Sequence, residues 1–564
     1  MAKWSSLTAA RACCALLALT VMVSGLTSRQ AQAESGQVQV PSQSPTQTQS
    51  QSLSPSQPHS QSQSSSTSQS QAPSRAQIDE QNAQQAVPTQ IQTAPGKNQV
   101  GPTPPPSHAA AQSAKASAQT EHFIVKPYLQ LGEEAKSDAH TATIVWFTDN
   151  ESHRWDATVN GGKGGNAVIL ERLVALPGFA KPIKKHSARF SRLTPGALFD
   201  YSIKKDGVEV FKATATAKKD SKQPYKVCIF GDCGALTDGQ KAVASQCFKA
   251  KPDLVVIPGD IVYQHGLYSQ YLTNYFPVYN RDNEDASGVP LLRSTFTAGV
   301  LGNHDIALDG KGTNLDKRPD ALAYFLFWNQ PLNGYATKSD VKNIPPIVGA
   351  ENKKELFRKS VGDAYPKMAN YSFDFGNSHW VVLDGNYYMD WTNEGIRKWL
   401  ADDLKKARTA TWKFVTFHQP AFSIDLPHGR EQRMRLVSDI LEKYNVDMVF
   451  AGHAHCYERS YPLTFRPKTG LKALTLNHDG TVDGALTIDR NYDGVKITKP
   501  QGIIHIVTGA GGARLYPPGL PADFIHKYDS SDHSLTTMEV TDKALTIQQI
   551  DAKGKIVDQY SVTK

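Results

Sequence analysis

Between Glu34 and Thr120 the chain has no phenylalanine, tryptophan or tyrosine and consists mainly of Ser, Gln, Pro, Thr and Ala. A stretch so poor in apolar side chains buries too little surface to offset its chain entropy, which excludes a packed domain there and predicts a disordered linker over 34–120. Beyond residue 33 no apolar run is long enough to span a bilayer. No cluster of Lys and Arg marks a nucleic-acid arm. The formal charge of +8, three of it from Lys3, Arg11 and Arg29, singles out no partner and excludes no common class. Cysteine is scarce, and paired C-x-x-C spacing is missing, which argues against a structural zinc site.

What is present begins with a leader. Lys3 and Arg11 open it, Ala12 to Leu26 is apolar, and Ala31-Gln32-Ala33 has the small-x-small form of a cleavage site. The pattern predicts a signal peptide over 1–33 and a periplasmic or secreted protein. The apolar run is shorter than the ~20 residues of a membrane span. Cys13 and Cys14 lie at the start of that run rather than after it, the wrong side for lipid attachment. Cys228, Cys233, Cys247 and Cys456 remain after cleavage. An oxidising compartment permits bridges among them, and buried free thiols are equally compatible with the pattern.

From about His122 to Lys219 apolar and polar residues alternate between turn signals, as in Thr143–Phe147, Trp155–Val159 and Phe199–Ile203. Short strands without helical periodicity predict a small β-sandwich over 121–220. Trp146 is a candidate for its core. From residue 224 to 564 apolar runs alternate with helical segments, expected near Asp238–Phe248, Asn393–Ala407 and Gly429–Tyr444. This predicts an α/β (α+β) domain with an at least partly parallel sheet covered by helices. The strand pairs of Leu535–Val562 close that sheet or a second one.

Residues with ligand chemistry stand where these strands end. Tyr225–Phe230 runs into Gly231-Asp232-Cys233-Gly234, and Leu254–Pro258 into Gly259-Asp260-Ile261-Val262-Tyr263. Phe296–Leu301 runs into Gly302-Asn303-His304-Asp305, Phe414–Phe417 ends at His418, and Met448–Ala451 runs into Gly452-His453-Ala454-His455. Loops beyond the C-terminal ends of strands in one layer converge on a crevice, so Asp232, Asp260, Tyr263, Asn303, His418, His453 and His455 are expected to meet. Seven N and O donors exceed the needs of one tetrahedral ion and suit two ions sharing a carboxylate. Imidazole and oxygen without thiolate fit Zn, Fe or Mn. Each motif alone is weak; their order, donor type and strand placement agree.

The series Asp232-x-Gly234, Gly259-Asp260-x-x-Tyr263, Gly302-Asn303-His304-Asp305, Val415-x-x-His418 and Gly452-His453-x-His455 resembles that of the purple acid phosphatases, within the calcineurin-like metallophosphoesterases. The resemblance spans Glu121 to Lys564, since plant members also carry a fibronectin type III-like sandwich, and it implies a four-layer α/β (α+β) catalytic domain after that sandwich. It implies a ferric ion held by Asp232, Asp260, Tyr263 and His455. A divalent ion (Fe, Zn or Mn) would be held by bridging Asp260 with Asn303, His418 and His453. It further implies His304 as phosphate contact or proton donor, with Asp305 orienting its ring, and His428 as a second candidate. Phe199 stands where such sandwiches usually carry a corner tyrosine.

The expected function is that of an exported acid phosphatase. It would hydrolyse small phosphate monoesters by in-line attack of a metal-bound hydroxide, with no nucleic acid as structural partner and no membrane span. Two alternatives are a phosphodiesterase or nucleotidase on the same ions, and a non-catalytic exported binding or adhesion protein. Asp384, Tyr457-Glu458-Arg459 and the aromatic stretch Tyr324–Trp328 are expected to serve as a turn, a support and core packing. His265 is expected on an exposed loop.

Overall fold

Strand alternation sorts the apolar side chains of the catalytic domain into two faces. In Tyr225–Ile229, Val227 and Ile229 enter a core shared with Trp380, Val382 and Phe414. Cys228 instead faces Val243 and Cys247 of the helix Asp238–Ala250. Leu254–Ile257 divides the same way, and so does Ser378–Leu383, whose Val381 and Leu383 meet Ile396, Leu400 and Leu404 of the helix Glu394–Lys406. Two sheets therefore lie face to face with helices on both outer sides, which is the four-layer α/β arrangement. In the computed structural model residues 122–564 are described, apart from 137, 161–166, 336–341 and 469–473. The expected signal peptide and linker lie outside them.

The first sheet has six strands in the order Phe296–Gly299, Leu254–Ile257, Tyr225–Ile229, Ser534–Val540, Ala544–Asp551, Ile556–Thr563. The first three are parallel and the last three antiparallel, so the C-terminal hairpins extend this sheet. The second has seven strands in the order Tyr371–Phe375, Ser378–Leu383, Trp412–Phe417, Met448–Ala451, Ile504–Thr508, Tyr457–Ser460, Ile525–Asp529, with a parallel centre. The site residues expected from one layer of strands are thus divided between two sheets, because a sequence reveals the order of strands but not which of them hydrogen-bond.

Both long helices start at caps visible in the sequence. Thr237 Oγ1 accepts from Gln240 N at 3.1 Å, and Asn393 Oδ1 accepts from Gly395 N at 2.9 Å. The third expected helix is broken. Residues 429–430 close a turn, 431–432 are irregular, Arg433–Val437 is a 3-10 stretch, and only Ser438–Lys443 is α-helical. Its first turn is held out of helical form by Gln432 N, which donates to Gly480 O at 3.0 Å, and by Glu431, whose side chain is engaged elsewhere.

Seven antiparallel strands between Val125 and Thr216 form the expected sandwich, four in one sheet and three in the other. Trp146 is fully buried in its core, its ring stacked on His186 at 5.0 Å. Phe199 is buried as well. Tyr201, two residues on, reaches the catalytic domain instead, donating to Arg293 O at 2.9 Å. Lys185 and Lys218, both buried, tie the contact further. Lys185 Nζ donates to Leu326 O at 2.7 Å, and Lys218 Nζ lies 5.5 Å from the Phe296 ring centre. Tyr324–Trp328 is fully packed core rather than the rim of a cleft. The four cysteines at 228, 233, 247 and 456 are buried and free. Among the described residues no helix is long and apolar enough to cross a membrane.

Candidate metal centre

All seven expected ligands meet at the seam between the two sheets. Asp232, Asp260 and Asn303 follow parallel strands of the first sheet. His418, His453 and His455 follow strands of the second. Asp232, Asp260 and His418 are almost completely excluded from solvent. The loops carry these side chains into a small volume by running close together. A Cβ on Gly302 would stand 2.1 Å from Asp260 Oδ1, and one on Gly452 would stand 2.5 Å from Asp232 Oδ2. Asp232, Asp260 and His453 adopt left-handed backbone, with φ of 57°, 49° and 69°. Such a conformation costs a non-glycine residue about 1–3 kcal/mol, and the surrounding structure must over-determine it to keep it.

One half of the cluster surrounds His418. Its Nδ1–H donates to Pro258 O at 2.7 Å, which aims Nε2 into the cluster. Nε2 faces Asn303 Oδ1 at 3.0 Å, His453 Nδ1 at 3.2 Å and Asp260 Oδ1 at 3.3 Å. A single nitrogen cannot supply a proton to three acceptors. The other half is built alike. His455 Nδ1–H donates to Arg514 O at 2.7 Å, and its Nε2 faces the Tyr263 hydroxyl at 3.1 Å and Asp232 Oδ1 at 3.4 Å. Tyr263 OH lies 3.2 Å from the same carboxylate oxygen. Buried acceptors aimed at one another in this excess are what a cation needs and what a protein without one avoids. Asp232, Asp260 and His418 alone place three ligand atoms within 4.8 Å of one another. The donor set fits two ions, with nitrogen and oxygen ligands on both sides.

The electrostatics agree. Burial opposes charge on His418, yet the Asp260 and Asp232 carboxylates outweigh it and push the imidazole up to about 10. Burial likewise opposes charge on Asp260, and the His418 and His304 rings hold it well below the usual carboxylate range. For Tyr263, burial and the neighbouring carboxylates both push the phenol up, so the side chain by itself stays protonated.

His304 is partly exposed beside the cluster. Its backbone N–H donates to Asp260 Oδ1 at 2.9 Å, its ring packs 4.6 Å from that of Tyr263, and its Nδ1 meets Gln264 O at 2.8 Å. Asp305 does not orient this ring. It turns away and accepts from Gly302 N at 2.9 Å and Ile261 N at 3.1 Å, tightening the two loops instead. His428 does reach the site, its ring centre 3.9 Å from that of His453. Glu431 bridges the two, 3.2 Å from His428 Nδ1 and 3.2 Å from His453 Nε2, so that His428, Glu431 and His453 form a second group with metal-binding geometry. Sequence reading passed over Glu431, whose only signal is its place three residues after His428. Tyr516 was also missed; its ring stacks on that of His455 at 4.1 Å and 9°, and no local motif announces it.

Three other residues fall into supporting places. Asp384 is a buried turn aspartate, accepting from Asn386 N at 3.0 Å. Arg459 pairs with Asp558 at 2.7 Å, whereas Glu458 accepts from Ser423 Oγ at 2.9 Å. His265 is half-buried rather than exposed, and burial lowers its imidazole to about 4.

Residues 225–457 match the family of calcineurin-like phosphoesterases. The chain is 26% identical over 344 residues to purple acid phosphatase 23 of Arabidopsis thaliana, a match covering 57% of this chain and 68% of that one. It is 24% identical over 303 residues to purple acid phosphatase 15 of the same plant, covering 49% of each, so the chain spans about half the length of that relative. Among solved structures, that of a purple acid phosphatase from yellow lupin seeds matches with a TM-score of 0.53 at 18% identity, over 78% of this chain and 74% of that one. This likeness carries the fold.

Proposed function

From the premise that this chain is a calcineurin-like metallophosphoesterase with purple acid phosphatases among its homologues, we propose that it is an exported acid phosphatase acting on phosphate monoesters. One observation carries the reading: His418 Nε2 is surrounded at 3.0–3.3 Å by Asn303 Oδ1, His453 Nδ1 and Asp260 Oδ1 from three separate loops, more acceptors than one N–H could serve. That arrangement serves a bound cation and has no other evident use. Asp232, Asp260, Tyr263 and His455 would hold a ferric ion, and Asp260, Asn303, His418 and His453 a divalent one. The ion pair, when bound, supplies the positive charge that activates water and draws in the phosphoryl oxygens.

The chain's own residues do the rest. The bonds of His418 Nδ1 to Pro258 O and of His455 Nδ1 to Arg514 O fix which nitrogen each ring presents. Gln264 O does the same for His304, leaving Nε2 directed toward the cluster, 3.9 Å from Asp260 Oδ2. From there its protonated form can donate to a phosphoryl or leaving-group oxygen, as general acid catalysis requires. His428 approaches from the opposite loop, its ring held by Glu431. The leader over 1–33 supports export.

The test combines elemental analysis and a visible spectrum of the purified protein with rates on 4-nitrophenyl phosphate, its bis-ester and a nucleotide. Two ions per chain, a visible band and preference for the monoester are expected. Faster hydrolysis of the bis-ester or the nucleotide would reassign the substrate class. A metal-replete protein inactive at every pH would leave only a binding role.

A further inference from the structure

Two loops close over the metal centre from the second-sheet side, and their composition differs from everything beneath them. Residues 421–431 and 511–520 pair through an antiparallel bridge between Asp425 and Pro518, with Gly519 N donating to Ile424 O at 2.6 Å. Each loop drops one ring onto the cluster. His428 lies against His453, and Tyr516 stacks on His455, the two rings 5.7 Å from one another. The segments next to those rings are open to solvent. Leu426 is 69% exposed and Leu520 88%, and Pro427, Pro517, Pro518 and Pro521 are exposed beside them. From Leu515 to Ala522 there is no charged residue, and the single acid between Ala421 and Pro427, Asp425, is buried.

We propose that Leu426 and Leu520 determine specificity, selecting phosphate monoesters with an apolar leaving group over those of sugars and other polyols. The inference rests on the phosphatase reading and names the substrate class for it. Three physical points carry it. Fully exposed leucines cost solvation that a monomeric surface usually avoids in clusters, and here they sit two and four residues from rings that touch the catalytic cluster. A prolyl-rich rim lacks backbone N–H groups and loses little entropy when covered, so it favours an apolar contact and offers a polyol few backbone donors. An ester group that leaves the seam between the sheets past His428 and Tyr516 runs along this rim.

The experiment compares n-octyl phosphate with glycerol 3-phosphate, whose leaving groups are both alkoxides, so that intrinsic reactivity does not set the ratio. Wild-type protein is expected to favour octyl phosphate in kcat/KM, chiefly through KM. The Leu426→Ser/Leu520→Ser variant is expected to lower that ratio about tenfold, as loss of apolar contact does elsewhere, with turnover of glycerol 3-phosphate unchanged. A Leu426→Met/Leu520→Met variant should keep the preference. Equal wild-type rates on the two esters would overturn the proposal with the phosphatase reading intact, and need no variant. Hydrolysis of neither ester would overturn both. An unchanged ratio in the serine variant with a shift in its elution volume would assign the rim to contact between copies, and would equally overturn it.

Discussion

Glu431 accepts the Nε2 proton of His453 at 3.2 Å, which leaves Nδ1 of that ring facing His418 across the cluster. The same carboxylate holds His428 through its other oxygen. Burial opposes its charge, but the His453 and His428 rings hold it far below the usual carboxylate range, so it stays ionised through acid pH. A carboxylate behind a ligating histidine fixes the ring and raises its basicity. Glu431→Gln is therefore expected to weaken retention of the divalent ion by about 10–100-fold. Metal titration followed by elemental analysis reads this directly, and unchanged retention would reduce Glu431 to a loop support.

Tyr263 is buried against two carboxylates that oppose its ionisation. Only a strongly charged ion at its oxygen would make it a phenolate, and a ferric phenolate is coloured. Tyr263→Phe is expected to abolish the visible band while the far-UV spectrum stays the same. A variant that keeps the colour would remove Tyr263 from the ligand set.

His304 and His428 lie beside the cluster rather than within it. Alanine at either position is expected to lower kcat by about 10²–10⁴, the usual worth of a general acid, with metal content retained. Loss of metal from either variant would show that the ring supports the cage instead.

Glu458 supplies a pH dependence of stability. It is buried near Asp425 with no cation, and burial together with that carboxylate raises it to about 8. Below an unfolded value of about 4.3 both states hold the proton. Between there and about 8 the folded chain keeps a proton that the unfolded chain releases, so stability falls as pH rises through this window. Glu458→Gln carries no such penalty. Its melting temperature should match wild type near the lower end and exceed it by a few degrees near the upper end. A constant difference across the window would mean that Glu458 is ionised in the fold.

Much of this was legible in the sequence, for local reasons. Thr237 and Asn393 announce their helices because a cap and an apolar period act over a few residues. The seven donors announce the site because they lie at or just past the ends of apolar strands, with a glycine directly before Asp232, Asp260, Asn303 and His453. The rest depends on space. Met434, Val437 and Leu441 have helical spacing and are buried as expected, yet the helix is broken upstream because Glu431 is engaged by His428 of its own loop and by His453 from the second sheet. Asp305 follows His304 in the chain and was paired with it for that reason, whereas the fold turns it toward Ile261 and Gly302. Tyr516 meets His455 only after the chain has crossed the second sheet.

The division of the donors between two sheets has a mechanical consequence. Asp232, Asp260 and Asn303 belong to one layer and His418, His453 and His455 to the other, so an ion gripped by both acts as a rivet through the apolar plane along which those layers would otherwise slide. Heat resistance should then follow metal loading throughout the catalytic domain, and stripping the ions with a chelator should loosen hydrogen exchange in strands far from any ligand.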